Sequence, residues 1–189
     1  ERLRQTILNK YPKYGNDNPE VDHYAHDIVT NYTNEIKKYR DSRGAPYEYA
    51  ILSSSFNVLQ GRTLGATPDG RLAHEPVSDN ASPMAGRDTT SPTATIKSLA
   101  SLDQMRPTNG TLFNIKFDPN VVKGEKGLDV LESCVKSYFD MMGQHIQINI
   151  VSEETLRDAQ KHPGDYGNLM VRVAGYSAYF IELDRSVQE

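Results

Sequence analysis

The chain has 189 residues, of which 37% are hydrophobic and 24% are charged, and its formal net charge is −4. This composition is typical of a soluble globular domain with a hydrophobic core, and the absence of a basic block argues against a nucleic-acid partner. No apolar run approaches the length of a membrane span, and the single cysteine, Cys134, excludes an internal disulfide and fits a reducing cytoplasm.

The first half of the chain predicts one long helix, one strand and one long loop. Asn18 can cap the helix, and Pro19 suits its first position. The apolar face of this helix is predicted to contain Val21, Tyr24, Ala25, Ile28, Tyr32 and Ile36. Residues 50–61 predict a strand, and residues 61–91, which are rich in Gly, Pro, Asp and Ser, predict an ordered loop.

The second half alternates helices and strands. Helices are predicted over residues 93–103 and 127–143 and after a capping Ser152, whereas strands are predicted over 110–117 and 145–151. The long helix over 127–143 has an apolar stripe of Leu128, Leu131, Val135, Tyr138, Phe139 and Met142. The second strand places Ile146, Ile148 and Ile150 on one face, and residues 168–183 are expected to be extended. The alternation predicts the α/β class.

Two conventional kinds of site are considered and not favoured. His23 and His26 stand three residues apart on the first helix, a spacing that can hold a metal, but neighbouring Asp22 and Asp27 indicate a solvated face, so no metal is expected. Cys134 lies on or beside an apolar helix stripe without a base partner. It is therefore expected to be a buried, inert thiol.

Gly175 interrupts the otherwise apolar stretch VRVAGYSAYF and allows two interpretations. It can be a bulge or a tight bend, the usual role of a glycine in a strand. It can also carry a radical, because loss of one α-hydrogen from glycine leaves a planar carbon with no side chain to twist it. The flanking nitrogen and carbonyl would delocalise the unpaired spin. Composition does not choose between these interpretations.

The stretch RVAGYSAYF, residues 172–180, resembles the glycyl-radical motif of the glycyl radical enzyme family, with Gly175 at the radical position. The segments GATPDGR, SPMAGRD, NGTLFNIKF and residues 143–180 resemble the same family in the same order, so the resemblance covers essentially the whole chain. Four residues differ from the pyruvate formate-lyase motif: Ala174, Ser177, Ala178 and Tyr179. The chain is more similar to the branch that contains dehydratases, choline trimethylamine-lyase, succinate synthases and arylacetate decarboxylases.

The resemblance implies a fold and a mechanism. The fold would be the C-terminal part of a ten-stranded α/β barrel, with the glycine loop threaded into its centre and a glycine-radical domain over about residues 61–189. No cofactor would be bound. A partner activating enzyme that uses S-adenosylmethionine and an iron–sulfur cluster would install the radical on Gly175, and the radical would pass to a cysteine in a G-C-V-E loop. Cys134 does not match that loop, so the chain is expected to be part of a longer enzyme and inactive alone.

The substrate would be a small organic molecule that undergoes anaerobic C–O, C–C or C–N cleavage or addition to fumarate. The full-length enzyme is expected to be a homodimer in the cytoplasm or in a bacterial microcompartment, with neither nucleic acid nor membrane as a partner. Arg172, Tyr176 and Tyr179 are expected to fix the glycine loop.

By strand alternation, four residues are expected either to face substrate or to pack in the core: Ser55, Asn57, Phe113 and Ile115. Two alternatives for the whole chain stay open at this point. One is a free-standing spare glycyl-radical subunit, and the other is a non-catalytic α/β binding domain in which Gly175 is only a bulge.

Overall fold

The structure is a computed structural model and describes residues 1–188. The α-helices within these residues are α1 Arg2–Lys10, α2 Pro19–Ile36, α3 Phe56–Thr63, α4 Pro92–Ala100, α5 Gly124–Asp140, α6 Glu153–Lys161 and α7 Arg185–Gln188. The strands are β1 Asn114–Phe117, β2 Gln147–Ile150, β3 Met170–Arg172 and β4 Ser177–Tyr179, and two 3₁₀ helices cover Pro163–Tyr166 and Phe180–Glu182. None of the helices within residues 1–188 combines the length and apolarity that crossing a membrane would require.

The strands form two separate pairs. β1 and β2 are parallel and are joined through α5, as a parallel pair requires a long crossover connection. β3 and β4 form an antiparallel hairpin in which Val171 pairs with Ala178. This mixture of helix and strand confirms the predicted α/β class, and the long loop is confirmed as well, since residues 64–91 contain neither helix nor strand.

The hydrophobic core lies between α4, α5 and β1. Phe113, Ile115 and Phe117 alternate along the β1 segment and are all buried, as the sequence predicts for Phe113 and Ile115. The ring of Phe113 lies 5.5 Å from that of Tyr138 on α5, and both side chains are fully buried. Phe113 and Ile115 pack in the core of this chain, and a substrate-facing role for them stays a prediction.

The helix α2 is confirmed, but its predicted apolar face is correct only in part, since Ala25 packs against the core. The Asn18 side chain caps the helix by accepting hydrogen bonds from the backbone N–H groups of Glu20 and Val21. The buried residues of α2 are Asp22, Val29 and Thr33, whereas Tyr24, Ile28 and Tyr32 are exposed. The partner of α2 explains this orientation, because Ser98 on α4 donates a 3.0 Å hydrogen bond to the Asp22 carboxylate.

The predicted strand over residues 50–61 is also wrong. Only Ile51 forms a β-bridge, with Thr111, and the chain then turns at Ser54, which has φ +53°. The Asn80 side chain stabilises the turn, because its Oδ1 accepts hydrogen bonds from the backbone N–H groups of Ser53 and Ser54. Ser55 becomes the N-cap residue of α3, without a side-chain capping bond, and Asn57 lies in the first turn of that helix.

The apolar stripe predicted for α5 is correct only in part. Tyr138 is buried and Leu131 packs against the core, but Leu128, Phe139 and Met142 are exposed. On β2 the expected isoleucine face is likewise incomplete, because Ile150 is exposed. The buried residue of β2 is the polar Gln147, which forms hydrogen bonds with the glycine hairpin.

Candidate functional site

The hairpin of β3 and β4 presents Gly175 in a four-residue turn. Val173 N donates a 2.9 Å hydrogen bond to Tyr176 O, which closes the turn. Gly175 has φ +77°, a left-handed conformation that L-residues other than glycine seldom adopt. Among residues 1–188, other than its two chain neighbours, no heavy atom lies within 4 Å of the position that a Cβ atom would occupy, and Gly175 is exposed. The expectation of extended backbone throughout residues 168–183 is therefore wrong, because the chain turns at residues 173–176 and that turn favours a glycine.

Gln147 of β2 contacts the turn directly. Its Oε1 accepts a 2.9 Å hydrogen bond from Gly175 N, and its Nε2 donates to Val173 O at 3.2 Å. The same Nε2 donates to Asn114 Oδ1 at 2.8 Å. Only 3% of Gln147 is exposed, so these hydrogen bonds satisfy a buried amide that would otherwise be costly.

Two further side-chain amides hold the same hairpin. Asn114 Nδ2 donates to Val173 O at 3.0 Å and also donates to the Asp79 carboxylate. Asn149 Nδ2 donates to Arg172 O, while Asn149 Oδ1 accepts from Arg172 N, both at 2.8 Å. We call Asn114, Gln147 and Asn149 the amide clamp. The clamp pairs side-chain amides with hairpin backbone in the way that a neighbouring strand would.

Two titratable groups lie next to the clamp. Burial raises the pKa of the Asp79 carboxyl above its usual range, and the hydrogen bonds from Asn114 and Ser53 oppose that shift. Burial lowers the pKa of His145, and the nearby Arg172 guanidinium lowers it further. The His145 imidazole is thus favoured in its neutral form beside the hairpin.

The side chains predicted to fix the glycine loop lie on its outer surface. The Arg172 guanidinium donates to Ser177 Oγ at 3.2 Å across the hairpin and is exposed, and Tyr176 and Tyr179 are 44% and 39% exposed. Within this chain the hairpin backbone is held by the amide clamp, which the sequence analysis missed, and the role expected of Arg172, Tyr176 and Tyr179 stays a prediction. Its signal was present in HIQINIV, where the residues that alternate with isoleucine are Gln147 and Asn149.

The remaining candidates lie apart from this arrangement. Cys134 is buried on α5, and burial raises the pKa of its thiol, as expected for an inert cysteine. Ser55 and Asn57 are not on a strand, so the alternation that suggested a substrate-facing position for them is absent. His23, His26 and Asp27 lie close together on α2, where His23 Nε2 is 3.3 Å from the Asp27 carboxylate. His23 is exposed and the other two are half-buried, and such a cluster is not by itself a metal site.

Comparison with known proteins places this arrangement in a family. The family model described as "Glycine radical" matches residues 77–181, and the model described as "Pyruvate formate lyase-like" matches residues 1–61. The chain is 44% identical to trans-4-hydroxy-L-proline dehydratase of Clostridioides difficile over 189 residues, which cover 100% of this chain and 24% of that protein. It is 40% identical to indoleacetate decarboxylase of Tractidigestivibacter scatoligenes over 193 residues, which cover 100% of this chain and 21% of the relative.

A solved structure supports the same assignment. The glycerol-bound B12-independent glycerol dehydratase from Clostridium butyricum superimposes with a TM-score of 0.92 at 45% identity, over 99% of this chain and 24% of that one. The chain thus spans about a quarter of the length of the proteins that it matches, and it corresponds to the C-terminal portion of their barrel fold. These matches confirm the predicted family and its predicted branch. The chain belongs to the glycyl radical enzyme family, in the branch of the dehydratases and decarboxylases.

Proposed function

We propose that this chain carries the radical of a lyase-type glycyl radical enzyme and that Gly175 is the residue that holds it. The observation that carries the proposal is the position of Gly175. It lies inside the region that matches the glycine-radical model, at the tip of a hairpin whose backbone is held by buried side-chain amides.

The proposed activation step is a hydrogen-atom transfer. One Cα–H bond of Gly175 breaks homolytically, and the hydrogen atom goes to a radical supplied by a partner activating enzyme that uses S-adenosylmethionine and an iron–sulfur cluster. The unpaired electron stays on the glycine Cα. The exposure of Gly175 and the open space around its Cα give such a partner access to the carbon. In the working enzyme, the rest of a longer polypeptide would shield this carbon from water and oxygen.

The proposed transfer of the radical from Gly175 to substrate needs a reactive cysteine thiol, and this chain has none. Cys134 is the only cysteine in the sequence, and it is buried on a helix with a raised thiol pKa. We therefore propose that a cysteine on another part of a longer enzyme takes over the radical and abstracts hydrogen from the substrate. This chain alone would then be inactive. The glycine-radical domain would extend over about residues 61–189.

The relatives narrow the proposed substrate class. Their names describe dehydration of hydroxyproline and decarboxylation of indoleacetate, so cleavage of a C–O or C–C bond in a small organic molecule is favoured. C–N cleavage and addition to fumarate are the wider possibilities within the proposed chemistry. The enzyme would act anaerobically in the cytoplasm as a homodimer.

Electron paramagnetic resonance tests this proposal on the full-length protein after anaerobic activation. We expect a doublet from one α-hydrogen coupled to the radical, and its collapse to a singlet after exchange in deuterated water. Gly175→Ala should abolish the signal, whereas Gly167→Ala, at a glycine with open space around it, should keep it. A properly activated wild-type protein without a doublet, or a Gly175→Ala protein with one, would refute the assignment.

A further inference from the structure

The Gly175 N–H is held by one buried side chain. The acceptor is Gln147 Oε1 at 2.9 Å, and the nitrogen it binds is bonded directly to the carbon that would lose its hydrogen. The clamp amides of Asn114 and Asn149 contact Val173 and Arg172 but make no hydrogen bond to Gly175. Gln147 is therefore placed differently from the other two members of the clamp.

The orientation of the Gln147 amide is determined by its other contacts. Its Nε2 faces two acceptors, Asn114 Oδ1 at 2.8 Å and Val173 O at 3.2 Å. Rotation of the amide by 180° would point Nε2 at the Gly175 N–H and Oε1 at two acceptor oxygens, which would remove all three hydrogen bonds. The acceptor at Gly175 is consequently fixed before any radical forms.

The backbone angle φ at Gly175 affects how far the unpaired spin can spread from Cα onto nitrogen, and the hydrogen bond to Gln147 restrains that angle. Spin spreads from a glycine Cα onto the adjacent nitrogen only when the Cα p orbital is parallel to the π system of the preceding peptide. At φ +77° the two are far from parallel, so radical formation favours rotation about the N–Cα bond. The hydrogen bond from Gly175 N to Gln147 Oε1 holds the plane of the peptide between residues 174 and 175. It thereby limits rotation about the N–Cα bond of Gly175.

We propose that Gln147 is a positioning residue that sets how the unpaired spin of Gly175 is divided between Cα and nitrogen. It does so by fixing the plane of the 174–175 peptide and by accepting the N–H hydrogen bond, which increases the electron density available on nitrogen. This inference rests on the proposed function of Gly175. The contact itself, however, belongs to the closed-shell protein and is measurable without a radical.

The first measurement is amide hydrogen exchange of the full-length, unactivated protein. Gln147→Met removes the acceptor at nearly constant side-chain length, and we expect the Gly175 amide to exchange about two- to tenfold faster, the range that one ordinary hydrogen bond gives. Gln144→Met is the matched control, because Gln144 lies three residues earlier and its backbone N–H is bound to Gln104 Oε1, away from the hairpin. Asn149→Ala should accelerate exchange at Arg172, since it removes the acceptor of that N–H.

The second measurement is the hyperfine coupling of the radical after anaerobic activation. Gln147→Met should change the nitrogen coupling and the α-hydrogen splitting, whereas Gln144→Met should keep the wild-type values. If Gln147→Met does not fold, Gln147→Asn tests the same point, because its shorter side chain withdraws the acceptor. Unchanged coupling in a folded Gln147 variant would overturn the inference while leaving the radical assignment intact. A wild-type protein that gives no radical would instead overturn the proposed function, and the exchange data would still report on the contact.

Discussion

Asn114 and Gln147 are register partners in the parallel strands β1 and β2, and Gln147 Nε2 donates a 2.8 Å hydrogen bond to Asn114 Oδ1. Both amides also donate to the same acceptor, Val173 O, at 3.0 and 3.2 Å. The two strands thus place one pair of amides where a hairpin carbonyl can bind to both. A parallel pair joined through a helix brings these residues together although 33 positions separate them.

The first prediction concerns Asn114. Asn114→Ala removes its hydrogen bonds to Val173 O and to the Asp79 carboxylate, and it also removes the Oδ1 acceptor of Gln147 Nε2. Val173 O and Gln147 Nε2 still bind each other, so the hairpin is weakened and not released. We expect the free energy of local hairpin opening to fall by about 1–3 kcal/mol. Native-state hydrogen exchange of residues 170–179 measures this free energy of opening. Asn120→Ala, on an exposed turn, should change the same quantity by less than about 0.5 kcal/mol, and equal effects of the two variants would contradict the clamp.

The second prediction separates loss of a radical from loss of the fold. Gly175→Ala places a Cβ at φ +77°, which costs about 1–2 kcal/mol, but apart from its chain neighbours no heavy atom of the described part of the chain lies within 4 Å of the new methyl group. We expect a folded protein with a slightly lower midpoint of thermal unfolding and an unchanged circular dichroism spectrum. Gly164→Ala, which has the same open surroundings without the positive φ, should leave the midpoint nearly constant. An unfolded Gly175→Ala protein would show that the site is crowded in the full-length enzyme.

The third prediction concerns Gly143, which lies three residues after the end of α5. A Cβ at this position would lie 2.4 Å from two ring atoms of Tyr138. That ring is fully buried and donates a 2.9 Å hydrogen bond to Gln104 Oε1, so it cannot move aside freely. We expect Gly143→Ala to cost about 1–3 kcal/mol in the free energy of unfolding, measured with urea. Gly167→Ala has open space and provides the comparison, and a similar small effect for both would show that the core can relax.

The fourth prediction concerns alkaline pH. Burial raises the pKa of Tyr138 to about 12, against the lower value of an exposed tyrosine in the unfolded chain. Between pH 10 and 12 the unfolded state loses this proton while the folded state keeps it, so stability should fall as pH rises, by up to about 1.4 kcal/mol per pH unit.

The variant Tyr138→Phe isolates this effect. Burial also raises the pKa of Tyr14 well above its usual range, so the variant should lose stability above pH 10 less steeply than the wild type without becoming insensitive to pH. Thermal unfolding midpoints of both proteins at pH 8, 9, 10 and 11 make the comparison. Parallel curves would show that Tyr138 titrates normally.

Local signals in the sequence were sufficient for several elements. Asn18 and Ser152 cap their helices as predicted, since a cap depends only on residues within the next turn. The alternation of Phe113 and Ile115 predicted their common buried side. The residues around Gly175 predicted the family, because that resemblance depends on residue order and not on three-dimensional contacts.

The contacts between distant segments decided the rest. Asn80 turns the chain at Ser53 and Ser54 and thereby replaces a predicted strand by the start of α3. Gln147 is buried because Asn114 and the hairpin satisfy its amide, although composition alone favoured its isoleucine neighbours for the interior. Burial of a polar group is decided by the availability of partners, and those partners lie far away in the sequence and meet only in the folded chain.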